Sequence, residues 1–139
     1  MKIKDIMSKR VIAADSGQSA YDVARMMHEH DVGAIPVFEK DVIAGIVTDR
    51  DIVLRCVATG KNPVECSVGE IMSGGAVSVT PGQSIGDAAK IMAVVKIRRL
   101  PVLENGKLTG MLSFGDIARS GANDTEISEA ISEISKPFD

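Results

Sequence analysis

Aromatic side chains are scarce in this chain of 139 residues, which has no tryptophan, one tyrosine and three phenylalanines. These rings are too few to build the stacking platforms on which many proteins bind single-stranded nucleic acid. Neither sign of charge dominates, since 16 basic and 19 acidic side chains leave a formal net charge of −3. Binding of nucleic acid through a general basic surface is therefore not expected, because phosphate neutralisation needs clustered Lys and Arg.

Long apolar runs are also missing. None approaches the roughly 20 residues that a helix needs to cross a bilayer, and the first residues lack the apolar stretch of a secretory signal. We expect a cytoplasmic protein that does not contact a membrane.

Metal and redox motifs are absent as well. The two cysteines, Cys56 and Cys66, stand ten positions apart, which is not the close spacing of a zinc or redox pair, so we expect two reduced and partly buried thiols. His28 and His30 are the only histidines, and a two-residue spacing on a helix points them to different faces. The sequence therefore predicts no metal site.

Catalytic motifs are not found either. The chain has no Walker-type loop, no Gly-x-Gly-x-x-Gly, no Gly-x-Ser-x-Gly and no nucleophile with a neighbouring histidine base. We therefore expect neither an enzyme nor a catalytic cofactor.

The chain contains an internal duplication instead. Residues 6–52 align without a gap with residues 71–117, and 15 of the 47 aligned positions are identical, where average residue usage gives about three by chance. The identities are grouped into short motifs: Ile-Met-Ser at 6–8 and 71–73, Gly-Gln-Ser at 17–19 and 82–84, and Pro-Val at 36–37 and 101–102.

Each copy predicts the element order β-α-β-β-α. Ser19 and Ser84 are the predicted N-caps of the first helices, and Ser67 with Glu70 forms a predicted capping box between the copies. The expected elements are strands at 11–14 and 76–79, helices at 19–29 and 84–95, strands at 34–38, 42–48, 99–103 and 107–113, and second helices starting at Asp49 and Phe114.

One copy of about 50 residues buries too little surface to be stable alone, so the two copies are expected to pack together. The predicted fold is α+β, with two β-α-β-β-α repeats related by a pseudo-two-fold axis and a C-terminal helix. The expected boundaries are 1–62 for the first repeat, 63–122 for the second and 123–139 for the tail. Asn123-Asp124 is the predicted cap of the tail helix, and its apolar stripe comprises Ile127, Ala130, Ile131 and Ile134.

A hydroxyl and a carboxylate stand three residues apart where the last strand of each copy meets a helix. We call Thr48–Asp51 the first corner and Ser113–Asp116 the second corner. One interpretation is structural, since such a pair caps a helix by binding its first N–H groups. The other is functional, since a helix N-terminus attracts phosphate and a carboxylate one turn in accepts both hydroxyls of a ribose. Position alone leaves both open.

In combination, these motifs resemble a pair of CBS (cystathionine β-synthase) domains. The resemblance covers about residues 3–120 and rests on the tandem Ile-Met-Ser, Gly-Gln-Ser, apolar-Pro-Val and Gly-(apolar)2-(Thr/Ser)-x-x-Asp motifs. It implies a regulatory module that binds AMP, ADP, ATP or S-adenosylmethionine in two clefts between the repeats.

The resemblance also implies which residues line each cleft, because base-binding strands come from one copy and the corner from the other. Cleft A would use Ser8, Ile12, Val32, Gly33, Ala34, Pro36, Arg98, Arg99, Met111, Ser113 and Asp116. Cleft B would use Ile46, Thr48, Asp51, Ser73, Val77, Ile97 and Pro101.

The clefts differ where Gly33 and Ala34 of the first copy align with Arg98 and Arg99 of the second. If both arginines point into cleft A they clamp a phosphate chain, each contact contributing about 1.5–3 kcal/mol. Cleft A is then the tighter site, and AMP, ADP or ATP is favoured over S-adenosylmethionine, which has no phosphate. NADH is a further, less expected ligand. The alternative is two solvated arginines at the start of a strand.

The partners expected are an adenosyl-containing small molecule, a second copy of the chain and a regulated protein that the sequence does not identify. The helix at Ile52–Ala58 is apolar nearly all round, so its outer face is predicted to meet another chain. The tail stripe either adds to that dimer contact or packs on its own subunit. A purely structural dimerisation module without a ligand is the main alternative function.

Overall fold

Two successive repeats of the order β-α-β-β-α, the second with an isolated bridge in place of its first strand, form an α+β fold, as the duplication predicts. The computed structural model describes residues 1–73, 75, 77–121 and 125–134. The chain divides into two units, which we name for their place in the sequence. The middle unit comprises Ile12–Val77, and the terminal unit comprises Met1–Val11 with Ser78–Asp139.

The middle unit has a three-stranded sheet in the order β1-β2-β3, with β1 parallel to β2 and β2 antiparallel to β3. Its core is aliphatic and includes the fully buried Val23, Ile35 and Val47. Its elements are β1 (Ala14–Asp15), α1 (Ala20–His30), β2 (Ala34–Glu39), β3 (Val42–Thr48), α2 (Asp49–Asp51), which continues as a π-helix over Ile52–Val57, and α3 (Val68–Ile71).

The terminal unit contains an antiparallel β4-β5 hairpin flanked by helices. Its core includes Ile3, Met92 and Leu112, none of which is exposed. Its elements are a 3-10 turn at Ile3–Asp5, α4 (Ile85–Val95), β4 (Arg99–Glu104), β5 (Lys107–Ser113), α5 (Phe114–Arg119) and α6 (Thr125–Ile134). None of the helices described here is both long and apolar enough to cross a membrane.

Each unit combines the body of one repeat with the leading segment of the other, which the sequence did not predict. In the terminal unit, Ile3 N donates to Gln83 O at 2.9 Å. In the middle unit, Ala20 N donates to Cys66 O at 2.7 Å. The segment before each Ile-Met-Ser motif therefore packs against the helix start of the other repeat.

Local signals located most element boundaries correctly. Ser19 and Ser84 cap α1 and α4, each hydroxyl accepting from the backbone N–H three residues later. The turn residues Lys40, Asp41, Asn105 and Gly106 all have positive φ, as tight hairpins with the right-handed strand twist require. Both predicted caps are confirmed.

Three local predictions are wrong. The first strand is Ala14–Asp15 rather than Val11–Ala14, because its pairing with β2 starts at Ala14. In the second copy Val79 forms only an isolated bridge to Val102. Ser67 precedes α3 but its side chain makes no capping bond, since its own carbonyl accepts from Glu70 N.

The tail helix α6 packs on α4 within the terminal unit. Ile127 is buried there, with 4% of its surface exposed, which agrees with the second of the two alternatives, packing of the tail on its own subunit. The predicted Asn123-Asp124 cap and the side chains of Ala130, Ile131 and Ile134 lie outside the described residues.

Candidate functional site

The first corner is a reciprocal cap in the middle unit. Thr48 N donates to Asp51 Oδ2 at 3.0 Å, and Asp51 N donates to Thr48 Oγ1 at 3.1 Å. The structural interpretation of this motif is therefore confirmed. It does not exclude the functional one, because a carboxylate has about four lone-pair positions and these bonds use few of them.

The Ile-Met-Ser motif of the second repeat lies against this corner. Ser73 and Ile46 exchange two backbone hydrogen bonds of 2.8 and 2.9 Å, and Ser73 Oγ donates to Asp51 Oδ2 at 3.0 Å. Asp51 is only 7% exposed. Four residues predicted for cleft B, namely Ile46, Thr48, Asp51 and Ser73, are thereby brought together.

Arg55 completes the first corner from the π-helix. Its Nε lies 3.8 Å from Asp51 Oδ1, and its Nη1 donates to Met72 O at 3.3 Å. The side chain is half exposed, so the ion pair contributes little to stability. Arg55 was not predicted as a site residue, although its spacing of four from Asp51 is the usual sign of a helical ion pair.

The second corner repeats the same cap in the terminal unit. Ser113 N donates to Asp116 Oδ2 at 2.9 Å, and Asp116 N donates to Ser113 Oγ at 3.0 Å. Ser8 and Met111 exchange two backbone hydrogen bonds of 2.8 and 2.9 Å. Ser8, Met111, Ser113 and Asp116, all predicted for cleft A, are thus held together as well.

The carboxylates of Asp51 and Asp116 differ in the hydrogen bonds that they make outside the reciprocal caps. Asp116 Oδ1 accepts from Arg119 Nη2 at 2.8 Å, and the Arg119 side chain is 74% exposed. Ser8 Oγ accepts from Arg10 N at 3.3 Å, whereas its counterpart Ser73 donates to Asp51. An incoming hydroxyl therefore competes with an exposed arginine at Asp116 and with the partly buried Ser73 hydroxyl at Asp51.

Both predicted clamp arginines lie beside the second corner. Arg99 pairs with Ser113 across the β4-β5 hairpin, and Arg98 O accepts from Phe114 N at 2.7 Å. The Arg98 guanidinium carbon lies 6.0 Å from the Phe114 ring centroid, at the outer limit of a cation–π contact. Both arginines are exposed.

The positions equivalent to Arg98 and Arg99 at the first corner are uncharged, and an acidic side chain lies beside them. Ala34 pairs with Thr48, and Gly33 O accepts from Asp49 N at 3.0 Å. A Cβ atom on Gly33 would lie 3.0 Å from Asp49 Oδ2, so the acidic side chain stands where the second corner has Phe114. The repeat alignment places Asp49 opposite Phe114 and is the signal from which this contrast can be read.

The remaining predicted residues are distributed between the units. Of the cleft A residues, Ile12, Val32, Gly33, Ala34 and Pro36 belong to the middle unit, and Ser8, Arg98, Arg99, Met111, Ser113 and Asp116 to the terminal unit. Of the cleft B residues, Val77 belongs to the middle unit with the first corner, and Ile97 and Pro101 belong to the terminal unit. Their assembly into two clefts stays a prediction.

Comparison with known proteins identifies the family. The family model described as "CBS domain" matches residues 3–57 and 68–123. The CBS domain-containing protein YhcV of Bacillus subtilis is 38% identical over 133 residues, which are 96% of this chain and 94% of YhcV. Hypoxic response protein 1 of Mycobacterium tuberculosis is 33% identical over 117 residues, 84% of this chain and 82% of that protein.

Solved structures resemble the whole fold. A crystal structure of Hypoxic Response Protein I with two coordinated zinc ions has a TM-score of 0.77 and 32% identity, covering 88% of this chain and 100% of that one. The hexameric CBS-CP12 protein from bloom-forming cyanobacteria has a TM-score of 0.79 and 28% identity, covering 95% and 81%.

Proposed function

Because the chain belongs to the CBS-domain family and carries two such domains in tandem, we propose that it is a regulatory module that binds AMP, ADP or ATP. CBS domains in general bind adenosyl ligands, and stand-alone pairs are typically non-catalytic regulatory modules. In this function the corner carboxylates bind the ribose, and the protein transmits its ligand-bound state to a partner protein.

The observation that carries this proposal is the clustering of Arg98, Arg99 and Asp116 at one corner. A carboxylate that accepts ribose hydroxyls and cations that pair with phosphate are the two groups that recognise a nucleotide. The described residues bring both to the start of α5 in the terminal unit.

We assign the tighter site to the second corner. Its exposed Arg119–Asp116 pair contributes little and is replaced at small cost, whereas a ligand at Asp51 must displace the Ser73 hydroxyl from a buried carboxylate. Asp49 adds a negative charge at the first corner, where a phosphate would be repelled. The arginines at the second corner favour a phosphorylated ligand over S-adenosylmethionine.

Zinc is not part of the proposal. Hypoxic Response Protein I holds two zinc ions in its structure, but the described part of this chain has no group of three His, Cys, Asp or Glu placed to hold a metal.

Titration calorimetry of the purified protein with AMP, ADP, ATP, NADH and S-adenosylmethionine tests the proposal. We expect the adenine nucleotides to bind most tightly and Asp116→Ala to weaken their affinity at least about tenfold, through loss of a charge-assisted contact of about 1.5–3 kcal/mol. Ser84→Ala is the matched control, because it removes a helix cap in the same unit away from the corner. Equal affinity of wild type and Asp116→Ala, with both folded, overturns the assignment.

The panel also separates the alternatives. Tighter binding of S-adenosylmethionine or NADH than of any adenine nucleotide would identify a different adenosyl sensor. If none of the five compounds gives a heat of binding, the remaining interpretation is a purely structural dimerisation module without a ligand.

A further inference from the structure

The two cysteines of the chain, ten positions apart in sequence, meet in the core of the middle unit. Cys56 lies in the π-helix and Cys66 in the segment before α3. Both are free and buried, they belong to one core cluster, and their side chains interact electrostatically. Sequence spacing gave no sign of this contact, because the chain turns back between the two residues.

Cys66 borders a pocket that also has charged side chains in its lining. A cavity of about 230 Å³ is lined by Lys61, Asn62, Glu65, Cys66 and Glu70. Cys66 Sγ lies 3.8 Å from Glu70 Oε2, which pairs with Lys61 Nζ at 3.9 Å. The cavity has several times the roughly 30 Å³ that a water molecule occupies in the liquid, so a small oxidant fits beside Cys66.

Cys56 is the more enclosed of the two thiols. It is fully buried, and its Sγ donates to Lys61 O at 3.7 Å. Cys66 is 4% exposed and lines the cavity. The Cys66 sulfur therefore borders the pocket, whereas the Cys56 sulfur is enclosed in the core next to it.

We propose that Cys66 and Cys56 form a site of reversible oxidation, at which a hydroperoxide in the pocket converts the two thiols into an intramolecular disulfide. The Cys66 thiolate attacks the outer peroxide oxygen, the O–O bond breaks, and the alcohol leaves after protonation. Cys56 sulfur then attacks the Cys66 sulfenic acid, the S–O bond breaks, and water leaves with the Cys56 proton. The two thiols lose two electrons and the hydroperoxide is reduced to alcohol and water.

The surroundings of Cys66 keep this reaction slow at neutral pH. Burial, the interaction with the Cys56 side chain and the negative charge of Glu70 raise the pKa of the Cys66 thiol to about 11, and Lys61 opposes them. Since the thiolate is the nucleophile, the site responds to high or sustained peroxide and reacts faster as the pH rises.

The disulfide would also tie the end of the π-helix to the segment before α3. The same helix exposes Val53, Leu54 and Val57, each about half accessible. Oxidation of Cys56, on the buried side of this helix, therefore occurs on the same helix that exposes the three apolar side chains.

Intact-mass analysis of the full chain after treatment with hydrogen peroxide tests the proposal. We expect a loss of two hydrogen masses, protection of both cysteines from alkylation, a cross-linked peptide containing both residues, and full reversal by dithiothreitol. Retention of two alkylatable thiols, under conditions that oxidise the urea-unfolded chain, overturns the proposal. Disulfides only between two chains overturn it equally.

Single variants test the order of the steps. Cys56→Ser should stop at a Cys66 sulfenic acid that a dimedone probe traps, whereas Cys66→Ser should leave Cys56 unreactive. Rapid labelling of Cys56 in Cys66→Ser would reverse the assigned roles and contradict the step as written.

A matched pair of charge variants tests the pocket. Glu70→Gln should speed oxidation at pH 8 about threefold and Lys61→Met should slow it by a similar factor, because the carboxylate raises and the ammonium lowers the pKa of the Cys66 thiol. Identical rates in both variants and wild type would show that the oxidant does not reach Cys66 through this pocket.

Discussion

The carboxylates of Asp51 and Asp116 are equivalent in the repeat but differ in how firmly they are already engaged. Asp51 is held by Ser73 from the opposite repeat, and Asp116 by an exposed arginine on its own helix. Duplication therefore gave two copies of one motif, and the hydrogen bonds around their carboxylates differ.

Because of Cys66, we expect the free energy of unfolding to fall at alkaline pH. Its pKa in the folded chain is about 11 against an ordinary value of 9.0, chiefly because burial disfavours the thiolate. Between those values the unfolded chain loses the proton that the folded chain keeps, so stability is intact below pH 9 and is lost as the pH approaches 11. The expected loss is on the order of 2–3 kcal/mol.

Urea unfolding at pH 8 and at pH 11, with dithiothreitol present, measures this loss. Cys66→Ser should show a smaller difference between the two pH values than wild type, because a hydroxyl does not titrate there. An equal difference in both proteins would contradict the assignment to Cys66.

At the scale of elements, helix caps are where sequence and structure agree best. The same Ser-x-x-acid pattern caps α1 at Ser19, yet Ser67 before α3 makes no capping bond. We expect Ser19→Ala to lower the free energy of unfolding by about 1 kcal/mol, as the loss of a cap does elsewhere. Ser67→Ala in the same unit is the control and should cost a few tenths at most, both measured by urea unfolding. An equal cost for both variants would show that the Ser19 bond does not stabilise α1.

Glycines let the leading segment of each repeat lie against a strand of the other. A Cβ on Gly110 would lie 2.6 Å from Ser8 O, whereas one on Gly45 would lie 3.1 Å from Ser73 O. Gly110→Ala must therefore displace the Ser8 backbone, and we expect a loss of about 1–3 kcal/mol, typical of overpacking. Hydrogen exchange should speed up at the Ser8 and Met111 amides.

Gly45→Ala provides the comparison, since its contacts are looser and its cost should be smaller. A larger effect of Gly45→Ala than of Gly110→Ala would contradict the packing described for the terminal unit.

The elements that could be predicted are those whose signals are local. Alternating strands, tight-turn residues such as Asn105-Gly106 and serine caps lie within a few positions of the structure they cause. The pairing of Ser8 with Met111 and the meeting of Cys56 with Cys66 depend on residues distant in sequence, for which one chain gives no pattern. The corner residues were found only because the duplication repeats them.

At the scale of the molecule, the exposed side of the π-helix carries three large apolar side chains. Val53, Leu54 and Val57 are 55%, 46% and 55% exposed, and contiguous apolar surface of this kind marks an interface. We propose that this face forms a homodimer. The hexameric CBS-CP12 protein shows that a related chain assembles with copies of itself.

Sedimentation velocity tests the dimer. Leu54→Glu should shift the protein to monomer, because a charge would be buried in the contact, whereas Val94→Glu on α4 should not. Val94 is 81% exposed and serves as the matched control. A monomeric wild type would exclude the dimer. A dimer that Leu54→Glu does not affect would place the contact on another surface.

Nucleotide recognition at the second corner is the central claim, and amide shifts of the isotope-labelled full chain during an AMP titration test it most directly. The account predicts that amides at Arg98, Arg99 and Ser113–Asp116 shift first, and those of Thr48–Asp51 only at higher AMP. Saturating shifts confined to residues outside both corners, or no shifts at millimolar AMP, would contradict it.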